Sequence, residues 1–139
     1  MADLLETLER WGETGRRREE LRFISLVHDS LKFAVSPWLL HVGENHHATR
    51  ARRFAERYTS DERLLATIEL HDRPYRLWRA MRLLRRLDRR GLDQMIRRLP
   101  DLDLFVRFVE LDGSTEGKNP EPISWLREGL AARGWIDVR

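Results

Sequence analysis

The sequence predicts an all-α fold, a compact bundle of about seven helices, on three observations. Apolar residues recur at three- and four-residue spacing along nearly the whole chain. No window alternates at period two, as a half-buried strand would. The 139 residues, 41% hydrophobic and 35% charged, are enough to bury one core, and no linker divides them, so a single domain over residues 1–139 is expected.

Taken in order, the first helix carries Leu4, Leu8 and Trp11 on one face and stops near Gly12 and Gly15. A second, over residues 17–33, is striped by Leu21, Ile24, Val27 and Leu31. The segment SPWLLHVG, residues 36–43, holds a proline and a glycine and reads as a loop or a short turn of helix. A third helix follows over residues 44–58. Thr59 and Glu62 stand at capping-box spacing and open a fourth, whose inward face is Leu64, Ile68 and His71. Pro74 marks a break or the first turn of a fifth helix over residues 75–87, with Leu77, Met81 and Leu84 on one side. Gly91 separates it from a short helix bearing Leu92, Met95 and Ile96. From Pro100 a further helix places Phe105, Phe108, Val109 and Asp112 on one stripe, so that a carboxylate ends a buried apolar face. Residues 113–122, GSTEGKNPEP, form the clearest loop, and a last helix carries Ile123, Leu126 and Leu130 before Trp135.

Composition narrows the chemistry. The absence of cysteine excludes disulfides, a thiolate nucleophile and any sulfur-based zinc site. No apolar run approaches the roughly 20 residues that span a bilayer, and MADLLETLER lacks the layout of a signal peptide. A cytoplasmic protein without a membrane partner is therefore expected. Of the 26 basic residues, 24 are arginine, leaving Lys32 and Lys118 as the lysines. Arg76, Arg79, Arg82, Arg86 and Arg89 recur at helical spacing in a stretch with few acids. They read either as a solvated face with scattered ion pairs or as a strip that follows an RNA or DNA backbone. The five tryptophans are expected in the core and at its rim, with Trp38 the candidate for stacking on a base.

Five histidines stand at positions 28, 41, 46, 47 and 71. His28 is followed at once by Asp29 inside the apolar segment ISLVHDSLKF, where a carboxylate needs a partner. Neighbouring side chains on a helix diverge by about 100°, so both reach one metal only if it sits at the helix surface between them. The other reading is an exposed Asp29 beside a hydrogen-bonded core His28. His46 and His47 open one helix, His71 closes another and Asp112 closes a third. One shared pocket accounts for all of them. Imidazole and carboxylate donors without sulfur suit a divalent ion of manganese, iron, nickel, cobalt, zinc or magnesium.

The ordered set of His28-Asp29 with Lys32, Asn45-His46 with Ala51, His71 followed by Arg73-Pro74, and Asp112 in an apolar helix resembles the HD-domain superfamily of metal-dependent phosphohydrolases. The likeness is to the HD domain attached to bacterial tRNA nucleotidyltransferases and to stand-alone HD proteins, and it spans about residues 22–125. It implies an HD-like helical bundle in which His28, Asp29 and Asp112 ligate a first metal. It places His46 and His71 at positions that bind a second metal or the substrate phosphate, and Lys32 close to the site. His47 takes the place of His46 if the register slips by one. The family opens with a further histidine upstream. None precedes His28 here: either the start at Met1 omits the helix turn that carries it, or the site has lost that ligand, or Asp3 or Glu6 substitutes for it. The implied activity is hydrolysis of a phosphomonoester or phosphodiester in a nucleotide-like substrate. Asp29 would orient or deprotonate the water, and His46, His71 or Lys32 would meet the phosphate charge. The alternative is a degenerate HD frame that binds nucleotide or RNA without turnover. The segment DGSTEGK, residues 112–118, lacks a P-loop pattern and reads as an ordinary loop, with a phosphate contact by Lys118 the minor reading.

Overall fold

The computed structural model describes residues 2–34, 36, 38–40 and 46–136, and it is all-α, with no strand among the described residues. The helices are α1 (Ala2–Arg10), α2 (Gly15–Val27), α3 (His47–Ala55), α4 (Glu62–Leu70), α5 (Arg73–Leu84), α6 (Arg89–Arg97), α7 (Leu102–Gly113) and α8 (Glu121–Ala132), with one 3-10 turn at Lys32–Ala34. No helix among the described residues is long and apolar enough to cross a membrane.

The bundle is organised around α7, which is apolar on both flanks. Leu104, Phe108 and Leu111 face one cluster, built with α1, α2, α3 and α4; Phe105, Val106 and Val109 face a second, built with α4, α5, α6 and α8. Helix α4 likewise sends Leu65 and Ile68 into the first cluster and Ala66 and Leu70 into the second. Ala48, Ala51 and Ala55 are fully buried and give α3 an alanine face that lets its backbone lie close to α4.

Several boundaries differ from the sequence expectation, each for a local reason. Helix α2 ends at Val27, not at residue 33. The hydroxyl of Ser30 donates to the Val27 carbonyl at 2.8 Å, and the following amides bond three residues back, Lys32 to Asp29 at 3.2 Å. Thr59 does not cap α4. Asp61 does, accepting from the Arg63 amide at 3.0 Å, while Thr59 accepts from the Asp61 amide at 3.1 Å. Leu64 is accordingly only partly buried, and Leu65 and Ile68 fill the core. Helix α5 starts two residues early, with Pro74 in its first turn, and stops at Leu84, where Arg85 turns left-handed with φ 50°. Leu84 is exposed rather than part of the inward stripe. Gly91 lies within α6 rather than before it, because a Cβ there would come 2.9 Å from Leu77 Cδ2; glycine lets α6 approach α5. Most of the 36–45 segment, including His41, Glu44 and Asn45, lies outside the described residues.

A charge network ties three helices together. Arg63 on α4 binds Glu20 on α2 and reaches Asp101 at 2.9 Å, while Asp101 caps α7 by accepting from the Leu104 amide at 2.9 Å. Burial alone would raise the Asp101 pKa, but the Leu104 amide and Arg63 outweigh it and hold the carboxyl below its ordinary value. Asp61 is lowered in the same sense: Arg63 outweighs burial. A depressed folded pKa contributes stability above the unfolded pKa and loses it as pH falls. The melting temperature should therefore drop as pH falls below about 4. Asp101→Asn keeps the cap but not the charge and should flatten that drop. A parent protein whose melting temperature is level from neutral pH into this range would contradict the network.

Candidate metal centre

Helices α2 and α4 end in the same way. His28 is the C-cap of α2 and donates from Nδ1 to the Ser25 carbonyl at 3.0 Å; His71 is the C-cap of α4 and donates from Nδ1 to the Ile68 carbonyl at 2.7 Å. In both cases the acceptor lies three residues back, among the last-turn carbonyls that have no helical amide to satisfy them. A carbonyl can only accept, so each bond fixes the ring orientation and directs Nε2 away from the helix end. The two rings meet edge-on at 5.0 Å, and both pack on Phe108 of α7, at 5.1 Å and 6.1 Å.

Each histidine is followed by an aspartate. Because α2 has already ended, Asp29 sits in the turn after it, with Oδ2 3.4 Å from His28 Nε2 and Oδ1 3.8 Å from His71 Nε2. His47, at the start of α3, brings Nε2 to 3.7 Å from the same Oδ1. Asp112 enters from α7 with Oδ1 3.4 Å from His28 Nε2. His28, Asp29 and His71 are close enough to hold a metal ion, with donor atoms within 4.8 Å of one another, and Asp112 stands beside them. A second such group comprises His46, His47 and Asp72. There His46 caps α3, accepting from the Ala48 amide at Nδ1, and its Nε2 lies 3.0 Å from Asp72 Oδ2.

The donor set fits a divalent cation. His28 Nε2 and Asp29 Oδ1 are buried without a hydrogen-bond partner, a costly arrangement unless something else satisfies them. Donors held about 2.1 Å from one ion in tetrahedral or octahedral geometry lie about 3.0–3.4 Å apart. The separations of 3.4 to 3.8 Å come close to that spacing.

The electrostatics follow from packing carboxylates and imidazoles together. Burial opposes charge on His28, yet Asp112 and Asp29 outweigh it and push its pKa up to about 9. Burial would raise both carboxylates, but His28 and Lys32 hold Asp29, and His28 and Lys118 hold Asp112, well below the usual range. Burial, and then the charge of His28, lowers His71; burial and His71 push His47 down to about 4. His47 and His71 are thus neutral imidazoles at physiological pH.

These groups open into a cavity of about 510 Å³. Asp29, His47, His71, Asp72 and Asp112 supply its polar surface, Pro74, Val109, Pro122 and Ile123 its apolar walls, and Lys32, Arg76 and Lys118 its cations. Lys32 Nζ is 2.7 Å from Asp29 Oδ2, as expected where a 3-10 turn eclipses side chains three apart.

The structure thus brings together His28, Asp29, His71 and Asp112, with Lys32 on Asp29. His46 belongs to the neighbouring group, and His47 is the one that faces Asp29. Asp3 and Glu6 are exposed on α1 and belong to neither group. Trp38 is 91% exposed and does not line the cavity. Sequence reasoning missed Asp72, although His71-Asp72 repeats the doublet His28-Asp29. It also passed over Tyr75 and Asn119, which line the cavity from the first turn of α5 and the α7–α8 connection. No family model matches the chain, and no curated protein or solved structure matches it.

Phe108 is fully buried beneath both imidazoles. Phe108→Ala should cost about 3–5 kcal/mol in denaturant titration, and Phe108→Leu less than half of that. Equal, small losses for the two would contradict its role as the floor of the site.

Proposed function

We propose that the chain is a metal-dependent phosphohydrolase acting on a nucleotide-like phosphoester. The observation that carries this reading is the pairing of buried, unpartnered donors, His28 Nε2 and Asp29 Oδ1, with a cavity that carries Lys32, Arg76 and Lys118. The resemblance to the HD-domain superfamily supports the same chemistry.

His28, Asp29, His71 and Asp112 would hold the ion. A divalent ion supplies a nucleophile at neutral pH by acidifying water from 15.7 toward about 7, and it offsets charge on a phosphoryl oxygen. Asp29 faces both His71 and His47 through Oδ1, which suits it to orient the attacking water. Lys32 and Arg76 meet the phosphate oxygens as negative charge shifts toward the leaving group. The water oxygen bonds to phosphorus as the phosphorus–oxygen ester bond breaks, the proton that the water loses is matched by one that the leaving oxygen takes up from solvent, and inorganic phosphate or a phosphomonoester remains.

Protein freed of tags should contain a stoichiometric divalent metal by plasma mass spectrometry, or acquire it on incubation with manganese, and should then hydrolyse p-nitrophenyl esters of phosphate. Asp112→Ala should lose the metal and at least about a hundredfold in turnover, the scale expected when a Lewis acid is lost. Full turnover in Asp112→Ala would reject this assignment.

A second reading rests on exposed arginines; the end of α5 at Leu84 breaks the single helical strip expected from their spacing, leaving Arg86 in the turn after α5 and Arg89 at the start of α6. Arg76 and Arg82 have partners in Asp72 and Glu121, but Arg79, Arg86 and Arg89 are exposed and make no ion pair among the described residues. We propose that these arginines contact RNA through its phosphates, with or without turnover at the cavity. RNA affinity should fall steeply with salt, and replacing Arg79 and Arg86 by Ala should reduce the log–log slope by about two. Affinity indifferent to salt would rule it out.

A further inference from the structure

The lysines of this chain are Lys32 and Lys118, against 24 arginines, and both stand in this one cavity on the two carboxylates of the candidate centre. Lys32 reaches Asp29 from the turn after α2. Lys118 reaches Asp112 from the far end of the α7–α8 connection, with Nζ 2.9 Å from Oδ1. Arginine serves all 24 other positions among the 26 Lys and Arg residues, so the two exceptions mark a local requirement. A guanidinium locks onto a carboxylate with two parallel bonds. An ammonium is a compact point charge on a flexible stem and can exchange one oxygen partner for another.

The connection is built to deliver Lys118. Ser114 Oγ donates to the Leu111 carbonyl at 2.7 Å, Thr115 Oγ1 to the Asp112 carbonyl at 3.0 Å, and the Lys118 amide to the Thr115 carbonyl at 3.2 Å. Gly117 takes φ +84°, which favours glycine, and Asn119 accepts from the Glu121 amide at 2.9 Å to start α8. The chain is therefore returned to the mouth of the cavity by hydrogen bonds that do not depend on the lysine side chain. That side chain remains about half exposed, so its ammonium is accessible to a solute.

Charge counting indicates what the solute is. The lining holds three carboxylates, Asp29, Asp72 and Asp112, and three basic side chains, Lys32, Arg76 and Lys118. They cancel. An imidazole binds metal in its neutral form and adds nothing, so a divalent ion that carries neutral water leaves a surplus of two positive charges as substrate binds, the complement of a phosphomonoester dianion rather than of a singly charged diester.

We propose that Lys118 is a substrate-binding residue that exchanges Asp112 for the phosphate of the substrate, and that together with Lys32 it selects dianionic phosphomonoesters. This assignment rests on the phosphohydrolase reading above. It predicts effects of opposite sign in Lys118→Gln, which keeps every one of these hydrogen bonds of the connection. The variant should bind inorganic phosphate about ten- to a hundredfold more weakly in its manganese-loaded form, by isothermal titration calorimetry. It should bind manganese itself at least as tightly as the parent, by indicator competition, because Asp112 loses a competing cation. In the parent, p-nitrophenyl phosphate should be preferred over bis-p-nitrophenyl phosphate, and the variant should raise KM for the monoester with little change in kcat. Unchanged phosphate affinity, weakened manganese binding or preference for the diester would each overturn the assignment of Lys118 while leaving the phosphohydrolase reading standing. A parent that binds no manganese would overturn both.

Discussion

The last turn of an α-helix leaves carbonyl oxygens that its own amides do not reach, and in this bundle two of them set the geometry of the candidate site. The Ser25 and Ile68 carbonyls each take the Nδ1 proton of the histidine three residues on, so His28 and His71 stand as C-caps with Nε2 turned outward from their helix ends. Phe108 supports both rings from α7. The aspartates that follow are then carried by turns rather than by helix, which frees Asp29 from the divergence that adjacent helical side chains impose. Without the shared capping geometry there is no reason for the donors of α2 and α4 to converge.

Around that frame the charges are balanced locally. Two carboxylates face His28, and each has its own lysine. Such a cluster is expensive to bury unless every charge is met, and the unpartnered His28 Nε2 and Asp29 Oδ1 show where the balance is incomplete. The core beneath is ordinary in composition. Its two apolar clusters meet on α7, so the helix that supplies Asp112 is also the one on which the rest of the bundle packs.

The all-α fold was legible because periodicity at three and four residues survives almost everywhere, from Leu4 and Leu8 to Leu126 and Leu130. The boundaries were less legible where side chains compete with the backbone. Ser30 stops α2 early, and Asp61 displaces Thr59 as the cap of α4. Gly91 was misread as a separator because its use is tertiary: it admits α6 against Leu77. Of the site, the convergence of His28, Asp29, His71 and Asp112 followed from their placement at the edges of apolar stripes. What pattern could not give was the pairing of His46 with Asp72 and of Lys118 with Asp112, since both depend on how turns fold back. The repeated His-Asp doublet and the scarcity of lysine were the available signals.

The claim on which the account depends is that His28 and His71 bind one divalent ion through Nε2, together with Asp29 and Asp112. X-ray absorption at the metal edge of the manganese- or nickel-loaded protein tests it directly. Two imidazoles per ion with the remaining donors oxygen, falling to one imidazole in His71→Ala, is the predicted result. An ion without imidazole scattering, or an imidazole count that does not change when His28 and His71 are both replaced, would contradict it.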